Sequence, residues 1–510
     1  MSFFNDFLNN SVSLFVCLSH YCNMSIREGS AECSVSPLEL FDTPPTQTAV
    51  EKSYDVEFLP TSALRHSGVV EFYMPASAED YLDLKNSRLY IRAKIVRNDG
   101  TDVGEGERVA PVNNLLQTMW SNVELLVNER LVTHSNNMHG YVSMLSHLMH
   151  DSDEMLTSER QMQMIYKDTA GSLDETNCTL PNPEGLIAGH SYRWQTHGEL
   201  VGAADDDDVT LNLENRAVAI AADTAVGNHG LHLRFSKTRT SQPFEMMGNV
   251  RLDLMQQLRY LPNGLALKLR LHQQKGSFCL MCPERQPPNN QERRYRLELL
   301  NACFIARRIK PSTGVLLGHA DALAKKPAEF PVIRKECKSF AIPAGIMQFK
   351  QDNIFLGQLP TRVIVAMVRG VAFAGSFQYN PYRFHHYNAS LVQVYADGEP
   401  VRSRPFRPNI ADGQFVECYN SLYSEFGKVD GDRGSIIKLE DWKRGYSLFA
   451  FSLSPDTDCD DHTSLVKHGN LRVEVQFSDT LEHAIQLLVY AEFDNVIKID
   501  SNRQLLIDYV

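Results

Sequence analysis

The sequence predicts an all-β protein in which one β unit is built twice in tandem. Two observations point there. Short runs of alternating apolar and polar residues, separated by turn residues, fill the chain beyond residue 60, the pattern of a β-sandwich or barrel. Three local patterns of the first half then return in the second, in the same order and at nearly constant spacing. At 510 residues and 43% hydrophobic, the chain is long enough for roughly two to four domains with cores of their own.

The runs read as strands one by one. In Ser87–Val96, Leu89, Ile91, Ala93 and Ile95 fall on one face and Arg88, Arg92 and Lys94 on the other, the period of two of a half-buried strand. Comparable runs begin at Val123 (VELLV), Val250 (VRLDL), Leu265 (LALKLRL), Tyr295 (YRLELL), Arg362 (RVIVAMV), Leu391 (LVQVYA), Tyr446 (YSLFAFSL), Leu471 (LRVEVQF) and Ile485 (IQLLVYAEF).

The recurrence begins with VEFYMPA at Val70–Ala76, which matches KSFAIPA at Lys338–Ala344 through Phe72, Pro75 and Ala76 against Phe340, Pro343 and Ala344. SNVELLVNERLV from Ser121 then lies without a gap over SLVQVYADGEPV from Ser390. Both are hairpins, turning at Asn128-Glu129 and Asp397-Gly398, where Asn and Asp tolerate a left-handed backbone. Third, YVSMLSHL from Tyr141 matches YNSLYSEF from Tyr419; Tyr141, Met144, Leu145 and Leu148 recur at helical spacing, as do Tyr419, Leu422, Tyr423 and Phe426. A short amphipathic helix is therefore expected after each hairpin.

The boundary falls near Lys310–Phe330, where Pro311, Pro327 and Pro331 flank a helix expected over Val315–Lys325. The expected division is an amino-terminal extension and arm over 1–59, a first β domain over 60–312, and a linker helix with a second β domain over 313–510. Met24 opens the polar arm, so residues 1–23 read as an extension before an alternative start. The acidic stretch Gly202–Thr210 reads as a solvated surface excursion and not a calcium site, because adjacent like charges point apart.

Composition excludes several classes. Lys and Arg total 50 against 62 for Asp and Glu, a net charge of -12, and the arm carries Glu28, Glu32, Glu39 and Asp42 against Arg27, so no genome-gripping basic tail is expected. Ten scattered cysteines form no disulfide framework, and the apolar run Val12–Leu18 is too short for a membrane span and lacks a signal peptide's basic flank; the expectation is a soluble intracellular protein with reduced thiols. Phosphate-loop, dinucleotide, nucleophile-elbow and zinc-protease motifs are missing. Cys279 and Cys282 supply half a zinc site at most. His229 and His232, read on a strand, face opposite ways, and the neighbours His385 and His386 fail similarly as a metal pair, which disfavours a cupin-like metalloenzyme. Asp460 and Asp461 read as turn residues. No catalytic, cofactor-binding or metal-binding residue is assigned, and no cofactor is expected.

Longer stretches carry a resemblance. VEFYMPASAEDYLDLKNSRLYIRAKI from Val70, YKDTAGSLD from Tyr166, KSFAIPAG from Lys338, DNIFLGQLPTRVIVAMV from Asp352 and GYSLFAFSLSPD from Gly445 resemble the major capsid proteins of Polinton/Maverick elements and adintovirus-like viruses, over about Val35 to Val510. The resemblance implies a double jelly roll: two tandem eight-stranded rolls with short inserted helices. It further implies a homotrimer that presents six similar rolls as a pseudo-hexagonal tile of an icosahedral virion shell, with penton and minor capsid proteins as partners. Each hairpin and helix would sit at the trimer seam or tower base, with Tyr141 and Tyr423 at subunit contacts. A lectin-like β-sandwich, its groove lined by Phe377–Tyr387, is the alternative reading, and a metal-binding cupin a more distant one.

Overall fold

The structure is a computed structural model that describes residues 43, 45–64, 68–176, 178, 192–194, 200–202, 227–285, 292, 294–429, 434–455 and 463–508. The first half contributes β1 (Val50–Phe58), β2 (Val69–Met74), β3 (Tyr81–Arg97), β4 (Trp120–Val127), β5 (Arg130–His134), β6 (Phe244–Gly248), β7 (Leu267–Gln273) and β8 (Tyr295–Pro311). They pair antiparallel as two four-stranded sheets, β1-β8-β3-β6 and β2-β7-β4-β5. Chain-neighbours β1 and β2, or β3 and β4, lie in different sheets, which is the winding of a jelly roll. The inward residues of the two sheets meet as one core, with the Phe72 and Phe304 rings 6.3 Å apart.

The second half winds the same way. Its strands are β9 (Ala328–Ile342), β10 (Gln348–Gln351), β11 (Leu356–Gln358), β12 (Arg362–Arg369), β13 (Ala389–Ala396), β14 (Glu399–Pro400), β15 (Leu448–Ser452), β16 (His468–Phe477), β17 (Ile485–Ile499) and β18 (Leu505–Ile507). One sheet runs β9-β17-β12-β15, with β18 added on β17, and the other β10-β16-β13-β14, with β11 also on β16. Matched in chain order, these are the neighbours of the first roll, so the double jelly roll expected from the resemblance is the fold observed.

The hairpins hold their predicted equivalence. Asn128 and Glu129 between β4 and β5, and Asp397 and Gly398 between β13 and β14, all take positive φ, the backbone that a two-residue turn needs to match strand twist. The helices that follow are α1 (His139–His150) and, in the second roll, α4 (Val416–Ser424). Between them along the chain come α2 (His229–Thr238) and the linker α3 (Thr313–Lys325), two residues longer than expected at its start. None of the α3 residues is buried; a hydrogen bond of 2.9 Å between the Tyr81 hydroxyl and His319 Nδ1 lays the helix on the first roll.

Three expectations need correction. Val50–Phe58, assigned above to the arm, is an edge strand of the first roll, paired with β8 along its length. The first repeat pattern is out of register: VEFYMPA is β2, whereas KSFAIPA ends β9, the counterpart of β1. The structural counterpart of Pro343 is thus Pro60, just past β1, because a proline lacks the donor to continue a ladder and stops several strands of both rolls. Finally, VRLDL from Val250 is not a strand; it leads into a helical turn at Asp253–Gln256.

The two large sheets differ in cover. In β3 burial alternates from Ser87 to Ala93, so one face of its sheet is open. In β12 every residue from Val363 to Val368 is buried, the mark of a strand covered on both faces.

Candidate assembly interface

What covers the second roll is α1, inserted between β5 and β6 of the first. A helix on the surface of a domain buries one stripe; α1 buries every residue from His139 to Met149, because it lies between the rolls. Tyr141 is enclosed by three rings: Phe373 stacked at 5.6 Å, and Phe278 and Tyr382 edge-on at 5.7 and 5.8 Å. Gly140 permits this closeness, since a Cβ there would stand 2.7 Å from the Tyr382 hydroxyl. That hydroxyl is hydrogen-bonded to Thr118 Oγ1 at 2.6 Å, linking the rolls again.

Charged groups lock the same seam. Asp151, at the end of α1, accepts from Arg160 Nε (2.7 Å) and Arg251 Nη2 (3.1 Å) and pairs with His147. Burial alone would raise its carboxyl, but the His147 hydrogen bond and the two guanidinium charges hold it well below the usual range. Glu492 on β17 accepts from His150 (2.8 Å) and from the Tyr490 hydroxyl (2.7 Å), and these partners with Lys335 outweigh burial and keep it ionised. Lys335 on β9 donates to Ser146 (2.9 Å) and Gln256 (3.1 Å). His139 Nε2 donates to Gln117 Oε1 (2.9 Å), and burial pushes its imidazole down to about 3.

The stretch YKDTAGSLD forms a clasp from the first roll's insertion to the second roll. Arg234 on α2, fully buried, donates to the Pro111 and Tyr166 carbonyls (2.7 Å each) and to Asp168 (2.6 Å). The other oxygen of Asp168 takes a hydrogen bond from Asn380 Nδ2 (3.0 Å), and its backbone carbonyl one from the Tyr446 hydroxyl (2.9 Å). Lys167 reaches the Ile436 carbonyl (2.6 Å) and Asp441, and Gly171 donates to the Arg444 carbonyl (2.7 Å). Asp174 accepts from the Asn380 backbone (2.8 Å) and pairs with Arg383.

The expected location of Tyr141 is corrected by this geometry: it is sealed inside one chain and cannot meet another subunit. Tyr423 is partly exposed, with its hydroxyl bonded to that of Tyr419 at 2.7 Å. His229 and His232 lie on α2 and not on a strand, so the opposite-face argument does not apply; His232 Nδ1 is 2.7 Å from the Cys178 carbonyl oxygen. His385 and His386 stack at 4.3 Å. Cys279 and Cys282 are buried and form no disulfide with each other, and Cys178, Cys303, Cys337 and Cys418 are buried as well. Among the described residues no group of three or more candidate ligands is placed to hold a metal, and no helix is long and apolar enough to cross a membrane. Residues 1–42, the acidic stretch after Gly202, Asp460 and Asp461 lie outside the described residues.

Phe377–Tyr387 does contribute to a cleft of about 480 Å³, lined by Tyr379, Asn380, Arg383, His385 and Tyr387 with Arg369, Asp479 and His483 opposite. Its cations are engaged internally: Arg383 with Asp174, and Arg369 over the Tyr379 ring at 4.2 Å.

Similarity to known proteins agrees with this architecture. No protein-family profile matches the chain. An uncharacterized protein of Caenorhabditis elegans is 22% identical over 478 residues, 92% of this chain and 100% of its own length. A chain of the Sputnik virophage, solved by cryo-EM, is similar over 95% of this chain and 94% of its own, with a TM-score of 0.59 at 12% identity. The Faustovirus major capsid protein is similar over 97% and 98%, with a TM-score of 0.54 at 9% identity. The fold is therefore the one these virus chains share.

Proposed function

We propose that the protein is a structural shell subunit, a major capsid protein of the double jelly-roll class, without catalytic activity. The observation that supports this most is the seam: two rolls of one winding stand together with the first roll's insertion packed over the second, the unit from which a ring of six rolls is made by three chains. The likeness to a Faustovirus major capsid protein supports the same reading. Within it, the chain is a Polinton/Maverick or adintovirus-like capsid protein that forms homotrimers, meets penton and minor capsid proteins, and resides in the virion shell. The division into rolls at α3, with β1 added to the first, belongs to this proposal.

A ligand-binding module would use the cleft beside Tyr379, where Arg383 is already paired with Asp174. Light scattering after size exclusion, followed by negative-stain microscopy, tests the reading. Trimers with hexagonal outline are expected. A stable monomer that binds a small ligand would overturn it.

A further inference from the structure

At the end of the second roll where β12 and β16 finish lies the cleft of about 480 Å³, within the roughly 300–1,000 Å³ of small-molecule sites. The connection from β12 to β13 forms one wall and that from β16 to β17 the other, and Asp174 of the clasp adds to the lining. Arg369, the last residue of β12, stacks its guanidinium on the Tyr379 ring at 4.2 Å. Stacking uses the flat face of the group and leaves its N–H edge open. Among the described residues Arg369 has no carboxylate partner, and its buried Nε has no acceptor. Arg383 differs, being held by Asp174. His385 Nδ1 accepts the Tyr387 backbone N–H (2.9 Å), and burial keeps the ring neutral, so its proton sits on Nε2 as a further donor. At the exposed mouth stand Asp479, Thr480 and Glu482.

These groups select among ligands. One uncommitted guanidinium matches one carboxylate, and the His385 donor beside it adds a second hydrogen bond to the same group. Asp479 and Glu482 at the mouth repel further negative charge but accept hydrogen bonds from hydroxyls. A phosphate monoester, with a charge of about −1.5 to −2 at neutral pH, meets that repulsion in full. A neutral sugar leaves Arg369 unmatched. We infer that the cleft binds an acidic sugar, a hydroxylated ring bearing a single carboxylate. The carboxylate lies on Arg369 and His385, the ring against Tyr387, and the hydroxyls toward Asp479 and Glu482. Every residue invoked belongs to one chain, so the inference goes beyond the shell-subunit reading and does not depend on it.

The test is calorimetric titration of the full chain with N-acetylneuraminic acid and glucuronic acid, with glucose and inorganic phosphate for comparison. Saturable binding of at least one acid is expected, about tenfold or more tighter than glucose or phosphate. Arg369→Gln removes the cation and should weaken binding about tenfold or more. Thr480→Trp, at an exposed position, should block the mouth, and an unchanged melting curve for this variant separates blocked binding from lost folding. Arg404→Gln, 81% exposed, removes a positive charge elsewhere and should bind as the wild type does. Failure of both acids to bind overturns the inference. Phosphate binding as tightly as the better acid overturns the sugar as ligand, and full binding by either Arg369→Gln or Thr480→Trp overturns the cleft as its site. A trimer that binds neither acid defeats this inference alone, whereas a monomer that binds one defeats the shell reading alone.

Discussion

The β1-β8-β3-β6 sheet and the β9-β17-β12-β15 sheet share a winding but not an environment, and the sequence differs accordingly. In the first, β3 places Leu89, Ile91 and Ala93 inward while Arg88, Tyr90 and Arg92 look out. In the second, β12 is Val363-Ile364-Val365-Ala366-Met367-Val368, apolar at every position because α1 and α4 lie over the face that β3 leaves open. Strand order is thus set by pairing, whereas residue pattern reports what lies on top. Duplicated halves diverge first where their cover differs.

The largest effect separates the two sheets directly. Ile364→Asp, on the covered face of β12, should cost about 4 kcal/mol or more, leaving little folded protein in expression trials. Arg92→Asp, at an open position of β3, should change stability by less than about 0.5 kcal/mol in the same denaturation assay. Equal losses at both sites would erase the contrast.

Asp151→Ala leaves Arg160 and Arg251 without their carboxylate at the seam. The expected loss is about 3–5 kcal/mol, read from the urea midpoint. A transition at the wild-type midpoint would mean that the carboxylate does not anchor the end of α1.

A smaller effect comes from acid. His139 is held to about 3 by burial, far below its value in the unfolded chain, so below about pH 6.5 the unfolded chain binds a proton that the folded one refuses. Its share of stability is fully present at neutral pH and is lost as pH falls. Asp253, raised to about 7 by burial despite Lys335, acts in the opposite sense, losing its contribution as pH rises from about 4. Comparing His139→Gln with wild type isolates the first term: the variant should shed about 1–2 kcal/mol of the stability change between pH 7 and 5. Identical pH slopes would refute it.

The smallest contrast lies in the hairpins. Glu129 has φ 64° where the second roll has Gly398 at φ 86°. Glu129→Gly should raise the melting midpoint, relieving about 1 kcal/mol of backbone strain at the expense of an exposed ion pair with Lys268. A lower midpoint would show that the pair outweighs the strain.

Much of the winding was legible in local pattern. The alternation of β3 and the turn chemistry of both hairpins are local, and so are the periodicities of α1 and α4. The register of the first repeat was not legible, since Phe-x-x-Pro-Ala records only that a strand stops at a proline, and strands in both rolls do so. The histidines of α2 were misread because a four-residue HGLH carries no period that separates strand from helix. The seam was legible only after the fact. A lone Glu492 in the apolar run LLVYAEF signals a charge buried on the covered face of β17, but its partners Lys335 and His150 lie far away in sequence. Nothing local marks Arg234 as fully buried either, because its three acceptors come from other loops.

The exposed linker α3 has a further consequence for how the molecule can be handled. Cohesion between the halves resides in α1, the clasp around Asp168 and the link from His150 to Glu492, while the covalent bridge contributes no buried side chain. The polypeptide should therefore tolerate being severed or lengthened within Thr313–Lys325, the severed pieces migrating together as a stoichiometric pair, which makes this helix the natural place to graft a foreign epitope.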